Sequence, residues 1–188
     1  MAKLSVFESI SIDGFFTDAD GDMGWAHRPE RDPEFEAFTR GNASGDGILV
    51  FGRKTYDLMA SFWPTEMAKQ QMPEVAARMN DGSKLVFSRK LKKAGWKNTR
   101  LVNGDPVAEI RRLKAEGGPD MVVLGSGEIA SQFMAAGLVD LVQLVVIPIA
   151  LGKGRTLFET MKDPASLKLR DSRAFANGNV VLTYIPGA

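Results

Sequence analysis

The chain has 188 residues, 44% of them hydrophobic and 25% charged, and a net charge of +1. That length suits a single domain, residues 1–188, able to bury about 70% of the surface its unfolded chain exposes. The near-zero charge gives no field to draw nucleic acid or an acidic membrane, and the absence of cysteine removes disulfides, thiol nucleophiles and cysteine-held zinc. The one histidine, His27, builds no metal cluster, so no metal is expected. No apolar run reaches the length of a membrane span. Residues 4 onward read as a strand with no basic-then-apolar leader, which makes the cytoplasm the expected compartment.

In chain order, a first strand is predicted over residues 4–12, ending at the turn signal Asp13-Gly14. Residues 15–31 read as a long loop, of the kind more often functional than idle. Asp32-Pro33 has the form of an N-cap followed by proline at the first helical position, with Phe35 and Phe38 on one face of the helix that follows. Residues 41–47 read as a turn. A buried strand at 48–51 runs into Gly52-Arg53-Lys54-Thr55-Tyr56, which opens another helix. Further helices are predicted over 66–79 and 106–116, and strands at 84–87 and 101–102.

Residues 121–137 form the unit around which the rest is arranged. An apolar strand, 121–124, meets the glycine turn Gly125-Ser126-Gly127 and then an amphipathic helix with Ile129, Phe133, Met134 and Ala136 at helical spacing. Gly137 stands where a left-handed cap ends it. Such a unit leaves backbone N–H groups and a positive helix end at one point, a site suited to a phosphate. The spacing Gly125-x-Gly127-x-x-Ala130 matches a dinucleotide fingerprint, although packing alone also produces glycine turns. A long strand at 141–149 and a hairpin of 167–175 with 180–185 about Asn177-Gly178 complete the chain. Alternation of strands and helices followed by an antiparallel hairpin indicates an α/β sheet of mixed direction. Three strands end in small or cationic residues, at Gly52-Arg53, Ser88-Arg89 and Gly125, and ligands of open α/β sheets bind beyond such ends.

Taken together, Ser11-Ile12-Asp13-Gly14, Gly52-Arg53-Lys54-Thr55-Tyr56, Ser88-Arg89, Gly125-Ser126-Gly127, Gly137-Leu138-Val139-Asp140, and Pro148 through Gly152-x-Gly154 to Leu157-Phe158 carry a resemblance. Over roughly residues 3–185 the chain resembles the dihydrofolate reductase superfamily, closest to single-domain relatives of the reductase half of the bifunctional deaminase–reductase of riboflavin biosynthesis. The resemblance implies a mixed eight-stranded sheet with helices on both faces, and NADPH as cofactor. Arg53 and Thr55 would meet the pyrophosphate at the helix that starts after Gly52. Ser88 and Arg89 would meet the 2′-phosphate, and Gly125, Ser126, Gly127, Glu128 and Ile129 would cover the remaining phosphate. A Rossmann domain is not indicated, because its glycine turn follows the first strand and the next strand ends in an acid. Two departures stand out: no cysteine is present to hold a deaminase zinc, and Gly125-Ser126 replaces the adjacent glycines that dihydrofolate reductases join by a cis peptide.

The implied activity is an NADPH-dependent oxidoreductase delivering hydride to a flat pyrimidine- or pterin-like small molecule, most similar to 5-amino-6-(5-phosphoribosylamino)uracil reductase. The alternatives are a dihydrofolate or pterin reductase, or a nucleotide-binding protein without turnover. Hydride addition to a C=N bond needs a proton donor. With no cysteine and one loop histidine, a carboxyl is the expected side chain: Glu34 by the resemblance, with Asp32 and Glu36 near it, or Asp13 from the first strand. An acid in a first helical turn is also favoured by the dipole alone, and an Asp before glycine by the turn alone. Trp25, Phe35 and Phe38 are candidates to face the substrate, with core packing the competing reading for the two phenylalanines. Of Arg89, Lys90, Lys92, Lys93, Lys97 and Arg100, only Arg89 is placed by a strand end to meet a phosphate. Gly127 is expected where backbone approaches phosphate too closely for a side chain. The apolar run 141–149 suggests a homodimer through the late strands.

Overall fold

β-branched and aliphatic runs supply the sheet, and a computed structural model describes residues 1–27, 30–43 and 45–187. Arg28 and Pro29 in the loop expected over 15–31, Ser44 in the turn expected over 41–47, and Ala188 lie outside the described residues. The strands are β1 (Leu4–Ser11), β2 (Phe15–Thr17), β3 (Ile48–Gly52), β4 (Lys84–Phe87), β5 (Thr99–Val102), β6 (Met121–Leu124), β7 (Leu141–Ile147), β8 (Arg155–Thr156), β9 (Leu167–Ala174) and β10 (Val180–Pro186). Eight of them form one sheet in the order β5-β4-β3-β6-β1-β7-β10-β9. All neighbouring pairs from β5 to β7 are parallel, and β10 runs antiparallel to both its neighbours. A tight turn at Gly178, with φ +85°, makes that return.

Six helices cover the sheet among the described residues: α1 (Pro33–Ala43), α2 (Arg53–Phe62), α3 (Glu66–Gln71), α4 (Pro73–Asp81), α5 (Pro106–Glu116) and α6 (Gly127–Ala135). Strand alternation sorts the core. Leu4, Val6, Val50, Leu85, Val123 and Val142 point to one face, under Ile110 of α5 and Phe133 of α6. On the other face Leu49, Phe51 and Val86 pack against α2, α3 and α4, while Val145, Ile147 and Phe175 pack with Phe35 and Phe38 of α1. These last two clusters divide at β1 and β6, where Phe7 pairs with Leu124.

Several expectations are corrected. The helix expected over 66–79 is two, because Pro73 lacks the N–H and crowds the preceding turn. The loop expected over 15–31 opens with β2, which pairs with β8, and contains a 3-10 turn, Gly24–Ala26. α1 extends to Ala43 and takes in the first part of the turn expected at 41–47. β1 stops at Ser11, leaving Ile12 68% exposed, and β7 stops at Ile147, before Pro148. β7 lies between β1 and β10, so burial inside the sheet accounts for its apolar run, and the free edge on that side is β9. Among the described residues no helix is long and apolar enough to cross a membrane.

Candidate active site

Because β4, β3 and β6 are adjacent and parallel, their carboxyl ends lie side by side. Ser88-Arg89, Gly52-Arg53 and Gly125-Ser126-Gly127 therefore line one edge in that order. α2 and α6 start there, and neither has a side-chain cap. α1, α3 and α5 are each capped by a side chain: Asp32 accepts from Glu34 N–H, Thr65 from Ala68 N–H and Asp105 from Val107 N–H. Among the described residues α4 also lacks a side-chain cap, its first turn opening with Pro73, which has no N–H. At α2 and α6 the bare N-termini leave first-turn donors side by side, where an anion gains both hydrogen bonds and helix dipole.

Ser126 ties the two turns together. Its hydroxyl oxygen accepts from Gly52 N–H at 2.8 Å and its O–H donates to Thr55 Oγ1 at 2.8 Å, which leaves the Thr55 hydroxyl proton free to donate onward. To reach this position Ser126 takes φ +73°, beside Gly125 at φ +65°. Close approach also explains Gly52, where a Cβ would lie 2.6 Å from Ser126 Oγ. No described peptide bond is cis, so Gly125-Ser126 is trans. Ser126→Ala should lower stability by about 1–3 kcal/mol, since it orphans a backbone donor. Ser126→Gly should lose less, because glycine accepts the left-handed φ without strain. Urea denaturation of the pair checks this; equal losses would assign the whole effect to the hydrogen bonds.

At the end of β4, Ser88 Oγ accepts from Leu91 N–H at 2.9 Å and Lys90 N–H at 3.2 Å, which folds the 88–91 turn. Arg89 is exposed on that turn, whereas Lys97 is paired with Asp81 and Arg100 with Glu109. Arg53 pairs with Asp57 one helical turn on. Ile129 is a core side chain, so only its backbone faces the site, and Glu128 is exposed in the first turn of α6. At Gly127 a Cβ would sit 2.8 Å from Leu157 O and 3.2 Å from Thr156 O, so the space a side chain would need is already taken by the protein's own backbone.

The two carboxyls expected to supply a proton are engaged elsewhere. Glu34 is 74% exposed at its side chain and pairs with Arg173 of β9 at 2.7 Å, four strands across the sheet from β6. Asp13 accepts from the Ser11 hydroxyl at 2.6 Å and from Gly152 N–H at 2.7 Å. Those bonds hold its carboxyl far below the usual carboxylate range, ionised, as a clasp between β1 and residues 151–152. Trp25, Phe35 and Phe38 do come together, half-buried about Phe175, beside the division between the two apolar clusters. Phe35 and Phe38 lie 5.2 and 5.7 Å from the Phe175 ring. The ring of His27 lies 6.4 Å from Phe62 at the end of α2, so the loop reaches from the first cluster to the second.

One acid escaped the sequence reading. Glu8, in the middle of β1, is 4% exposed, and burial pushes its carboxyl up to about 8. Its signal was present: Leu4, Val6, Glu8 and Ile10 alternate onto one face, which puts a carboxyl at an inward position. Beside it, Ile10, Gly14, Leu144, Thr156, Leu157 and Phe158 line a cavity of about 290 Å³, and Leu144 is the register partner of Glu8.

A parallel sheet with a single antiparallel return, two bare helix N-termini at adjacent strand ends and a loop crossing toward them define a dihydrofolate reductase-like domain. The chain belongs to the RibD C-terminal domain family, which matches residues 2–181. It is similar to the uncharacterized protein YyaP of Bacillus subtilis, 29% identical over 94% of this chain and 90% of that one. Among solved structures, a Shewanella sp. PV-4 protein provisionally named for riboflavin biosynthesis superposes over the whole of both chains with a TM-score of 0.74 and 26% identity. A Thermotoga maritima diaminohydroxyphosphoribosylaminopyrimidine deaminase/5-amino-6-(5-phosphoribosylamino)uracil reductase superposes with a TM-score of 0.69 and 16% identity. The match covers 99% of this chain and 57% of that larger one, and at that identity it speaks for the fold alone.

Proposed function

We propose that the protein is an NADPH-dependent reductase that passes hydride to a flat, nitrogen-containing small molecule of the pyrimidine or pterin kind. The observation that carries this reading is the pair of uncapped helix N-termini joined through Ser126 at adjacent strand ends. Family membership supports the reductase class. The residues fit the cofactor. Backbone donors of the first turns of α2 and α6 and the Thr55 hydroxyl would hold the pyrophosphate, with Arg53 at its side. Arg89, exposed beyond β4, would take the 2′-phosphate. When bound, the cofactor supplies the hydride, and this chain's part is to orient the ring and exclude water. Trp25, Phe35 and Phe38 would offer the acceptor a flat apolar wall. A binding protein without turnover is the second reading, favoured by the engagement of Asp13 and Glu34 in other contacts.

A titration with NADPH and NADH, followed by a hydride-transfer assay on a panel of pterins and ribosylaminopyrimidines, tests the proposal. Tight NADPH binding with oxidation by one panel member supports it. Binding without any oxidation favours the second reading, and no binding overturns both. Arg89→Ala should weaken NADPH about ten- to a hundredfold and leave NADH nearly unchanged, as a charge-assisted contact of about 1.5–3 kcal/mol requires. Equal losses for the two cofactors would show that Arg89 is not the discriminator.

A further inference from the structure

We propose that binding of a phosphate-bearing ligand at the Gly125–Gly127 turn is coupled to a proton on Glu8, so that the turn takes its anion only while the carboxyl beneath it is neutral. This rests on the reading of that turn as the cofactor site. Glu8 Oε1 accepts from Ser9 N–H at 2.9 Å, while Oε2 is buried and has no hydrogen-bond partner among the described residues. Oε2 is aimed at the turn: a Cβ on Gly125 would lie 2.9 Å from it and 3.0 Å from Thr55 Cγ2. The carboxyl therefore fills the space that the missing side chain leaves, directly behind the backbone that faces the ligand.

Among the described residues nothing around Glu8 neutralises it. β2, β6 and β7 carry no ionisable side chain. On α2, Arg53 pairs with Asp57, Lys54 is exposed and Tyr56 belongs to the cluster on the opposite face. α6 offers only the exposed Glu128, and Arg155 of β8 pairs with Glu159. Burial is the dominant influence on the carboxyl, opposed by the Ser9 N–H. An ionised Glu8 would place an unpaired negative charge behind a turn built to receive another. At an effective dielectric of about 20 and a separation of about 7 Å, such a charge weakens anion binding about ten- to a hundredfold. Binding then draws a proton onto Glu8 wherever the free carboxyl is partly ionised.

The test is isothermal titration of the full chain with NADPH at pH 7, 8 and 9, in buffers of different ionisation enthalpy. The 2′-phosphate, with a second pKa of about 6, is about nine-tenths in its dianionic form at pH 7 and fully so at pH 8 and 9, so its own titration changes affinity little over this range. Wild type should take up about half a proton per NADPH at pH 8 and lose about five- to tenfold in affinity from pH 7 to pH 9. Glu8→Gln should take up none and bind equally at both ends of the range. Wild-type binding without proton uptake overturns the proposal and leaves the cofactor reading standing, and this measurement decides even if the variant fails to fold. A Glu8→Gln profile that keeps the wild-type pH dependence also overturns it. Failure of wild type to bind NADPH at pH 7 overturns the cofactor reading, and this proposal with it.

Discussion

Gly125→Val should abolish binding of any phosphate-bearing cofactor and lower stability by about 3 kcal/mol or more. Gly125 sits at φ +65°, where a β-branched residue is strained by at least 1–2 kcal/mol on the order of the left-handed penalty. A Cβ would also press on Glu8 Oε2 at 2.9 Å and Thr55 Cγ2 at 3.0 Å. Neither can retreat easily: Thr55 is fixed by Ser126, and Glu8 is enclosed within the sheet. The turn would therefore have to move away from α2, separating the two sets of free donors. Urea denaturation and an NADPH fluorescence titration on the same preparation measure both effects. A folded valine variant that binds NADPH normally would show that the turn is a packing device only. Glycine at 127 gives no such separation of stability from binding, because a side chain there collides with the backbone of residues 156–157.

Glu8→Gln should stabilise the unliganded protein by on the order of 3 kcal/mol at pH 7 and by almost nothing at pH 4. Burial raises the carboxyl of Glu8 from 4.5 to about 8 in the folded chain, so the folded state holds a proton that the unfolded state has lost. For a raised carboxyl the contribution to stability is fully present below pH 4.5 and is lost as pH climbs toward 8. Each pH unit in that window costs about 1.4 kcal/mol, a limit that water entry and local relaxation reduce. Glutamine keeps the shape and the acceptor for Ser9 N–H and does not titrate. Chemical denaturation of both proteins at pH 4, 5.5, 7 and 8.5 gives the comparison. Parallel stability curves would mean that Glu8 is ionised with a counter-charge in the folded state.

The sheet was legible because its strands are short apolar runs punctuated by glycine, proline and capping acids. Asp32-Pro33 marked a helix start through a side chain that acts within three residues of itself. The adjacency of three strand ends was also legible, since each carried its own turn chemistry. What the sequence hid depends on distant partners. Glu34 is turned to Arg173 across 139 positions, and Asp13 is spent on Gly152 across another 139. Neither pairing leaves any local trace. The ribbon of β2 with β8 was hidden for the same reason: each strand is too short to declare itself, and only pairing makes it a strand. Glu8 differs. Its alternation with Leu4, Val6 and Ile10 announced it, but a carboxyl within a strand reads as solvent-facing until the opposite face is known to be covered.

The β2–β8 ribbon and the Asp32 cap also partition the molecule into parts that can change independently. Thr17 is fixed opposite Arg155 by the ribbon. Asp32 is fixed by accepting from Glu34 and Phe35 N–H and, with its other oxygen, from Asn177 N–H in the β9–β10 turn. Residues 18–27, with the 3-10 turn Gly24–Ala26, follow the first of these clamps. Thr156 and Leu157, which roof the start of α6, lie outside this segment, so changes of side chain within it leave the immediate neighbours of Gly127 in place.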